Sequence, residues 1–491
     1  MKEFFEARDY FLLGVFCETA YSLATKAPIR FYFNSTCTVD GEFYKGVFGL
    51  ELKSSGDWAL RRSEIYSVSV IVLSLTSLIE NLAGALPASY FPYYATSLGA
   101  EVWFIGVFMA AFMVTSAALS SPLGSLSDRV GRKKLIQAGL LADVFLGSMT
   151  GIAPNWQVLL VLRALNGVAT AAVRPAAEAS LIDQVPSRHR GEVLGFFLTL
   201  TMVGWFIGPI FGGTIQFISE NIFGLSLEES YRIPFFVDSL LSIIAVGLVA
   251  WKVEETRGER AVSKSVEVAE DDVELTGWVL RSIRVLYLTT VTNGFAVGFI
   301  APVGVLFLGE VFGAIPFQIG TILSVSGFVG ILCNFFAGKL ADRWGRKPVI
   351  AIGSLSSRLG SIVLPFTADL WQATGVMALR SLGINVAMPA GRALRADLVP
   401  AKIRGKLFGK FNAFFDVGMI AGVLLGPWLF DAFRHQQFEI KPLNLTVSGV
   451  GTPFFISGVM GLIALAILLA FVKEPKRKGK PKTEHLQNIK K

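Results

Sequence analysis

Residues 124–139 read GSLSDRVGRKKLIQAG, and residues 338–353 read GKLADRWGRKPVIAIG. The second copy lies 214 positions after the first, and the same shift aligns Pro175 with Pro389. Matches at one constant spacing indicate a duplicated sequence. Duplicated halves in a membrane protein predict a cavity where the halves meet, which opens to each side in turn when the halves rock against each other.

The composition is that of a membrane protein. Of the 491 residues, 53% are hydrophobic and 17% are charged, whereas soluble domains average about 25% charged residues. This excludes a disordered chain, a fibre and a nucleic-acid-binding protein. The 3 cysteines and 3 histidines are too few for a disulfide framework or a metal site, and the sequence contains no G-x-x-x-x-G-K-[ST] phosphate loop. We therefore expect no cofactor, no metal and no ATP-driven mechanism.

Apolar runs long enough to cross a bilayer, about 20 residues each, follow one another from Tyr66 onward. The predicted spans are 67–94, 102–123, 135–153, 157–181, 191–216 and 233–251 in the first half, and 285–308, 317–338, 348–367, 371–396, 405–429 and 453–472 in the second. They predict an all-α integral membrane protein with twelve transmembrane helices in two pseudo-symmetric six-helix bundles.

The spans divide the chain into five segments. These are an N-terminal cytoplasmic extension at 1–65, a first bundle at 66–252, a cytoplasmic linker at 253–284, a second bundle at 285–472 and a basic cytoplasmic tail at 473–491. In the extension, two aromatic runs joined by Asp40-Gly41 predict a β-hairpin over 31–50. The linker is too strongly charged to enter lipid.

Lysine and arginine are concentrated in the loops on one face, which also carries both termini when the number of spans is even. The only basic residues in the loops on the opposite face are Arg232, Arg434 and Lys441. Cytoplasmic loops retain positive charge. We therefore expect both termini in the cytoplasm and a multi-pass location in the plasma membrane.

The repeated loop resembles the signature of the major facilitator superfamily (MFS), G-x-L-[SA]-D-R-x-G-R-[KR], and it lies between spans two and three and between spans eight and nine. Arg163 and Gly167 on span four are similar to the family's R-x-x-x-G pattern, and span five carries a run similar to the glycine–proline motif of its antiporters. The likeness covers residues 66–472. It implies the MFS fold and a transporter resembling the multidrug/proton antiporter branch.

The signature loops form the first candidate site, here called the gating loops. Their glycines permit a tight turn between two helices. Asp128 is expected to make a charge contact that forms in one state and breaks in the other, and the resemblance implies that it stabilises the outward-facing state. The basic residues either contact lipid headgroups or only mark topology. The gating loops comprise Gly124, Asp128, Arg129, Gly131 and Arg132 in the first copy and Asp342, Arg343, Gly345 and Arg346 in the second.

Polar side chains inside the spans form the second candidate site, because an ionised group in mid-bilayer costs at least about 2.5 kcal/mol and usually faces a cavity or a partner. Glu80 is the best candidate for a proton-carrying carboxyl, and the alternative is a structural ion pair with a span-four arginine. In the family, spans one, four, seven and ten line the cavity. The predicted substrate and proton pathway is Glu80, Asn81, Arg163, Arg174, Asn293, Asn385 and Arg392.

Other interpretations of the intramembrane charges stay open. Arg174 could pair with Glu178, one turn further along the helix. Arg174 and Arg392 could instead anchor the cytoplasmic end of the bundle. Asp143 and Arg358, in the third and ninth spans, are expected to form packing pairs rather than to bind a ligand.

The third candidate is the helix-packing motif Gly204, Gly208, Pro209, Gly212 and Gly213 on span five. Glycines at every fourth position leave one helix face bare for close packing. Span eleven repeats this spacing at positions 418, 422 and 426. Helix packing therefore explains the motif at least as well as antiport does.

Together these observations predict a secondary transporter, not an enzyme, that moves a small solute by alternating access. The favoured version is proton-coupled efflux of drug-like or amphipathic compounds. One alternative is proton-coupled uptake of an organic anion or nutrient, which the excess of pathway arginines favours. Another is a multi-span sensor or enzyme without transport, for which the sequence has no catalytic cluster. The expected partners are the solute, a proton and the lipid bilayer, and we expect a monomer.

Overall fold

The computed structural model describes residues 66–256, 277–399, 403–440, 445–472 and 474. A first group of helices comprises α1 (Val68–Ala85), α2 (Phe91–Ser97), α3 (Phe104–Val130), α4 (Arg132–Gly151), α5 (Trp156–Gln184), α6 (Arg190–Asn221) and α7 (Leu227–Lys252). A second group comprises α8 (Gly277–Phe312), α9 (Pro316–Trp344), α10 (Arg346–Val363), α11 (Leu370–Leu398), α12 (Arg404–Phe433), β1 (Gln437–Ile440), β2 (Leu445–Ser448) and α13 (Thr452–Phe471). The hairpin predicted at 31–50 lies outside the described residues.

Ten helical segments in the described ranges are long and apolar enough to cross a membrane. This confirms an all-α membrane architecture. The helices α4 and α11 are not among the ten, and both carry several basic residues, at the start of α4 and along α11. They occupy the positions of predicted spans three and ten. The helix α8 begins at Gly277, inside the segment predicted as a linker.

The first predicted span is broken in two. A 3-10 turn at Leu86–Ser89 separates α1 from α2, and Pro87 and Pro92 are the second residues of the two new helical segments. Proline is tolerated there because the N–H that it lacks would have no partner within the helix. The Ser89 hydroxyl donates to the Pro209 carbonyl over 3.1 Å, which fixes the turn against α6.

Helices pack mainly within each group. In the first group, α1 packs on α6 and α7, α3 on α5, and α4 on α5 and α7. In the second group, α8 packs on α12 and α13, α9 on α11, and α10 on α11 and α13. Aliphatic clusters fill these contacts, one around Val70 and Ile136 and one around Val349 and Leu394.

The strands β1 and β2 form an antiparallel hairpin between α12 and α13. This element was not predicted, because each strand has only four residues and the period-two pattern is too short to recognise. We call the face of the molecule that carries it the hairpin face. The opposite face carries the turns at Gly131 and Gly345, and we call it the signature-loop face.

The two groups meet near the hairpin face, where α6 contacts α9 and α3 contacts α12. The Ile210 N–H donates to Ser324 Oγ over 3.1 Å, and the Tyr93 hydroxyl donates to the Val305 carbonyl over 3.1 Å. Ile210 lies in the C-terminal half of α6 and Ser324 in the N-terminal half of α9, and both of these halves are on the hairpin-face side. In this conformation, direct contacts therefore join the groups on the hairpin-face side.

Candidate functional site

An acidic cluster lies in the core of the first group. Asp238 on α7 is only 8% exposed, and Asp143 on α4 is half-buried. The Ser242 hydroxyl donates to Asp143 Oδ2 over 2.9 Å. The two carboxyls are close enough for their charges to interact with each other and with Arg163 on α5. Two carboxyls and one guanidinium therefore lie near one another inside the helix bundle.

Arg163 lies between this cluster and an aromatic wall. Its Cζ atom is 3.9 Å from the centroid of the Phe91 ring, which is a cation–π contact. Its Nε has no hydrogen-bond partner among the described residues. The guanidinium thus lies against the ring and near the charges of the two carboxyls.

Glu80 on α1 borders the same cluster. Its side chain is half-buried, and its charge interacts with those of Asp143 and Arg174. Within the described ranges, no hydrogen bond or ion pair engages its carboxyl, and the ion pair that Arg174 forms is with Glu178. The alternative of a structural ion pair with a span-four arginine is therefore not observed, and the proton-carrying role of Glu80 stays a prediction.

The two predicted amides on α1 and α11 bond to their own helices. Asn81 Nδ2 donates to the Ser77 carbonyl over 2.8 Å, and Asn385 Nδ2 donates to the Ser381 carbonyl over 2.9 Å. Each bond reaches back four residues, as short polar side chains do within helices. These contacts account for both amides structurally, and their place in a pathway stays a prediction.

The two remaining pathway arginines are exposed and lie toward the signature-loop face. Arg174 is 70% exposed, and its Nε lies 3.4 Å from Glu178 Oε1, as the helix spacing had suggested. The charge of Arg174 also interacts with that of Asp416 on α12, in the second group. Arg392 is exposed on α11. Both positions suit the alternative in which these arginines anchor one end of the bundle.

Asn293 on α8 accepts a hydrogen bond from Nη2 of Arg358 on α10. The partner of Arg358 is therefore an amide on a neighbouring helix, and the expectation that this arginine serves packing rather than ligand binding stays a prediction. Asn293 is half-buried, whereas Arg358 is 6% exposed. The bond joins two helices of the second group.

Both gating loops turn on a glycine with positive φ, 113° at Gly131 and 101° at Gly345. Residues with a Cβ are disfavoured in this conformation, so the two glycines allow consecutive helices to follow each other directly. Arg129 and Arg343, two residues before each glycine, are exposed. Their positions fit contact with lipid headgroups or water.

One arginine organises the first gating loop. Arg132 Nη2 donates to Asp128 Oδ1 over 3.0 Å, and Arg132 Nε lies 3.0 Å from Asp183 Oδ2 at the end of α5. The Arg132 side chain is buried, so the loop, α4 and α5 are joined by a partly desolvated charge network. Gly124 lies beside Pro175, which brings α3 close to α5 just before the loop.

The second gating loop has the same arrangement. Arg346 bonds to Asp342 within the loop, and its Nε donates to Asp397 Oδ2 at the end of α11 over 3.3 Å. The 214-residue shift that relates the two signature loops also aligns Asp183 with Asp397, but neither aspartate was among the predicted site residues.

Two further glutamates were not predicted as site residues. Each accepts hydrogen bonds from the backbone at the start of the helix that follows a gating loop. Glu255 Oε1 accepts from the Lys133 backbone N–H over 3.2 Å. Glu474 accepts from the backbone N–H groups of Arg346 and Lys347 over 2.6 and 3.3 Å. A carboxylate at a helix N-terminus is stabilised by the helix dipole. Each glutamate follows the last helix of its group, and the recurring Val-x-Glu at 253–255 and 472–474 was the available signal.

One face of α6 carries the predicted glycine–proline motif Gly204, Gly208, Pro209, Gly212 and Gly213. Gly204 and Gly208 pack against α1, and Gly212 packs against Leu86 in the 3-10 turn that follows it, all within the first group. Gly213 lies against Pro316 of α9, in the second group. The motif therefore mediates two kinds of close contact, one inside a group and one between the groups.

A cavity of about 420 Å³ opens near the hairpin face, between the two groups. Tyr93 and Glu101 line it from the first group, and Glu310 and Arg434 line it from the second. Arg434 Nη2 lies 3.3 Å from Glu310 Oε1. These residues were not predicted as a site, and they lie apart from the acidic cluster around Arg163.

Two stretches of the chain, residues 73–285 and 286–490, match the family model described as Major Facilitator Superfamily. The chain belongs to this superfamily. It is similar to the multidrug resistance protein MdtG of Salmonella arizonae, with 28% identity over 73% of this chain and 87% of the relative. The MdtG of Salmonella heidelberg is also 28% identical, over 78% of this chain and 92% of the relative.

Solved structures of MFS transporters have the same fold. A bacterial homologue of the human lysosomal transporter Spinster, in an inward-facing and occupied conformation, matches with a TM-score of 0.67 and 16% identity over 83% of this chain and 96% of that chain. A D-xylose–proton symporter matches with a TM-score of 0.66 and 15% identity over 83% and 98%. MFS membership confirms the predicted class, a multi-pass membrane transporter of small molecules rather than an enzyme.

Proposed function

We propose that this MFS transporter is a proton-coupled exporter of drug-like or amphipathic compounds in the plasma membrane. The observation that carries the proposal is the acidic cluster, in which Asp143 and Asp238 lie near Arg163 and Glu80 lies near Asp143. Carboxyls inside a membrane bundle are typical of proton relays. The name of the MdtG relatives, multidrug resistance protein, favours drug-like compounds as the cargo.

We infer that the described conformation is inward-facing. Contacts such as the Ile210–Ser324 bond join the groups near the hairpin face, while Arg174 is exposed toward the signature-loop face. Helices pair in the same order within both groups, which supports twelve spans in two pseudo-symmetric bundles that rock about a central cavity. The basic loops support a cytoplasmic location for the signature-loop face and for both termini.

In the proposed cycle, one carboxyl serves both ligands. In the inward-facing state, Glu80 releases its proton to the cytoplasm, and the compound enters beside the ionised carboxyl. After the groups rock, a proton from the outside neutralises Glu80 and the compound leaves. Proton and compound therefore move in opposite directions, and the inward proton gradient drives export. The cycle needs no partner subunit, and we propose a monomer.

The test is transport by purified protein in liposomes with an imposed pH gradient and a panel of labelled amphipathic compounds. Glu80→Gln should abolish gradient-driven accumulation, because its neutral amide neither carries a proton nor supplies the ionised carboxyl beside which the compound binds. Glu254→Gln is the matched control, because that glutamate is exposed and lies beyond the end of α7. Gradient-driven transport by Glu80→Gln at the control rate would contradict the proton role of this residue.

Proton-coupled uptake of an organic anion or nutrient is the second candidate function. It is favoured by the arginines on α10 and α11, two of which lie inside the second group. The same liposomes distinguish the two functions by direction. Export requires that the compound accumulate on the side with the higher proton concentration, whereas symport requires accumulation on the opposite side.

A further inference from the structure

Arg358 is a buried guanidinium with unused donors. It is 6% exposed, and its Nη2 donates to Asn293. Its Nε and Nη1 have no hydrogen-bond partner within the described part of the chain. A side chain added at Gly461 on α13 would collide with this guanidinium. The arginine is therefore confined between α8, α10 and α13, and two of its nitrogens lack an acceptor.

A second arginine lies beside it. Arg380 on α11 donates from Nε to Ser361 Oγ over 3.0 Å, and Ser361 is one helical turn from Arg358 on α10. The charges of the two arginines interact with each other. The Ser357 hydroxyl, next to Arg358, is also buried and has no described partner. Two cations and an unused hydroxyl thus converge on one face of α10.

The described residues supply no carboxylate to balance these two charges. Asp416 lies on α12, where its charge interacts with that of Arg174 in the other group. Glu310 pairs with Arg434 near the hairpin face. A buried charge without a partner is strongly unfavourable in a bilayer. The core of the first group has the opposite balance, since the carboxyls of Asp143 and Asp238 lie near the single guanidinium of Arg163.

We propose that Arg358 and Arg380 bind a small monovalent anion beside α10, inside the second group. The planar guanidinium fork suits a carboxylate or a halide ion, and the Ser357 hydroxyl adds a donor. The anion is either free chloride or the carboxylate of a transported solute. Only the second source rests on the proposed function, and in that case the transported compounds include organic anions.

Binding can be measured without transport, by thermal unfolding of the purified full chain in detergent. Sodium chloride and sodium benzoate are titrated separately at constant ionic strength, which is maintained with sodium sulfate. We expect a saturable rise in melting temperature for the wild type. Arg358→Gln and Arg380→Gln should each raise the apparent Kd at least tenfold. Arg284→Gln, which changes an exposed arginine on α8, should bind as the wild type does.

The outcomes separate the two sources. Saturation by chloride identifies a resident halide ion, and saturation by benzoate alone identifies a solute carboxylate. If Arg358→Gln does not fold, Arg358→Lys replaces it, because lysine keeps the charge but lacks the fork, and it should bind more weakly than the wild type. A wild type without saturable stabilisation by either salt, or variants with the wild-type Kd, would overturn the proposal. Neither result depends on whether Glu80 carries a proton.

Discussion

Replacing Gly213 with alanine should weaken the contact between the two groups without disturbing the packing inside the first group. A methyl group at position 213 would lie 2.8 Å from the Cα of Phe317 and closer still to the Pro316 carbonyl. Both are backbone atoms of α9, which cannot rotate away as a flexible side chain can. The collision exists only while the groups are closed at the hairpin face.

The magnitude follows from this geometry. Overpacking a close contact costs about 1–3 kcal/mol. Because the cost falls on one conformation alone, the equilibrium between the conformations shifts by about 5- to 150-fold toward the one that is open at the hairpin face. Gly195→Ala is the matched control, since a methyl group at that position of the same helix meets nothing within 4 Å.

The measurement is the distance between spin labels on the two groups at the hairpin face. Ile222, after α6, and Trp371, at the start of α11, are both strongly exposed, and a cysteine at each can be labelled in a cysteine-free variant. We expect Gly213→Ala to increase the population with the longer separation, and Gly195→Ala to match the parent. Identical distance distributions in the two variants would refute the argument that backbone contact at Gly213 holds this face closed.

Two further predictions concern the gating loops. Gly131→Ala should lower the free energy of unfolding by about 1–3 kcal/mol, because alanine is strained at a φ of 113°; thermal unfolding should show no comparable loss in Gly191→Ala, where φ is ordinary and the surroundings are open. Glu255→Gln should destabilise the protein by about 0.3–2 kcal/mol, because the Lys133 N–H at the start of α4 loses a charged acceptor. The same change at the exposed neighbour Glu254 should have little effect, and equal losses would contradict a specific role for Glu255.

The helical membrane fold could be predicted because its signals are long. A run of about 20 apolar residues is recognisable without any knowledge of its neighbours. Shorter features could not be placed in this way. The break at Pro87 depends on how the turn packs against α6, and the strands β1 and β2 are only four residues each. The start of α8 at Gly277 was hidden because charged residues dominate the segment before it.

Individual residues of the candidate site could be predicted from the sequence, but their arrangement in space could not. Glu80 and Arg163 stood out because each is a charge within an apolar run. Asp238 carried the same signal, in PFFVDSLLS, yet no pattern in the sequence indicates that it lies near Arg163 rather than facing another helix. Glu255 was concealed in a charged stretch that reads as a linker, and only the tertiary contact with Lys133 reveals its role.

The glycine–proline motif shows why transport direction has to be argued from charge rather than from this pattern. Gly204 and Gly208 bring α6 against α1, and Gly422 brings α12 against α8 in the same way. Close packing of this kind is needed in any helix bundle in lipid, whether the transporter exports or imports. Proton exchange, by contrast, requires a group that binds either a proton or the compound. For that exchange we propose the carboxyl of Glu80, whose charge interacts with that of Asp143.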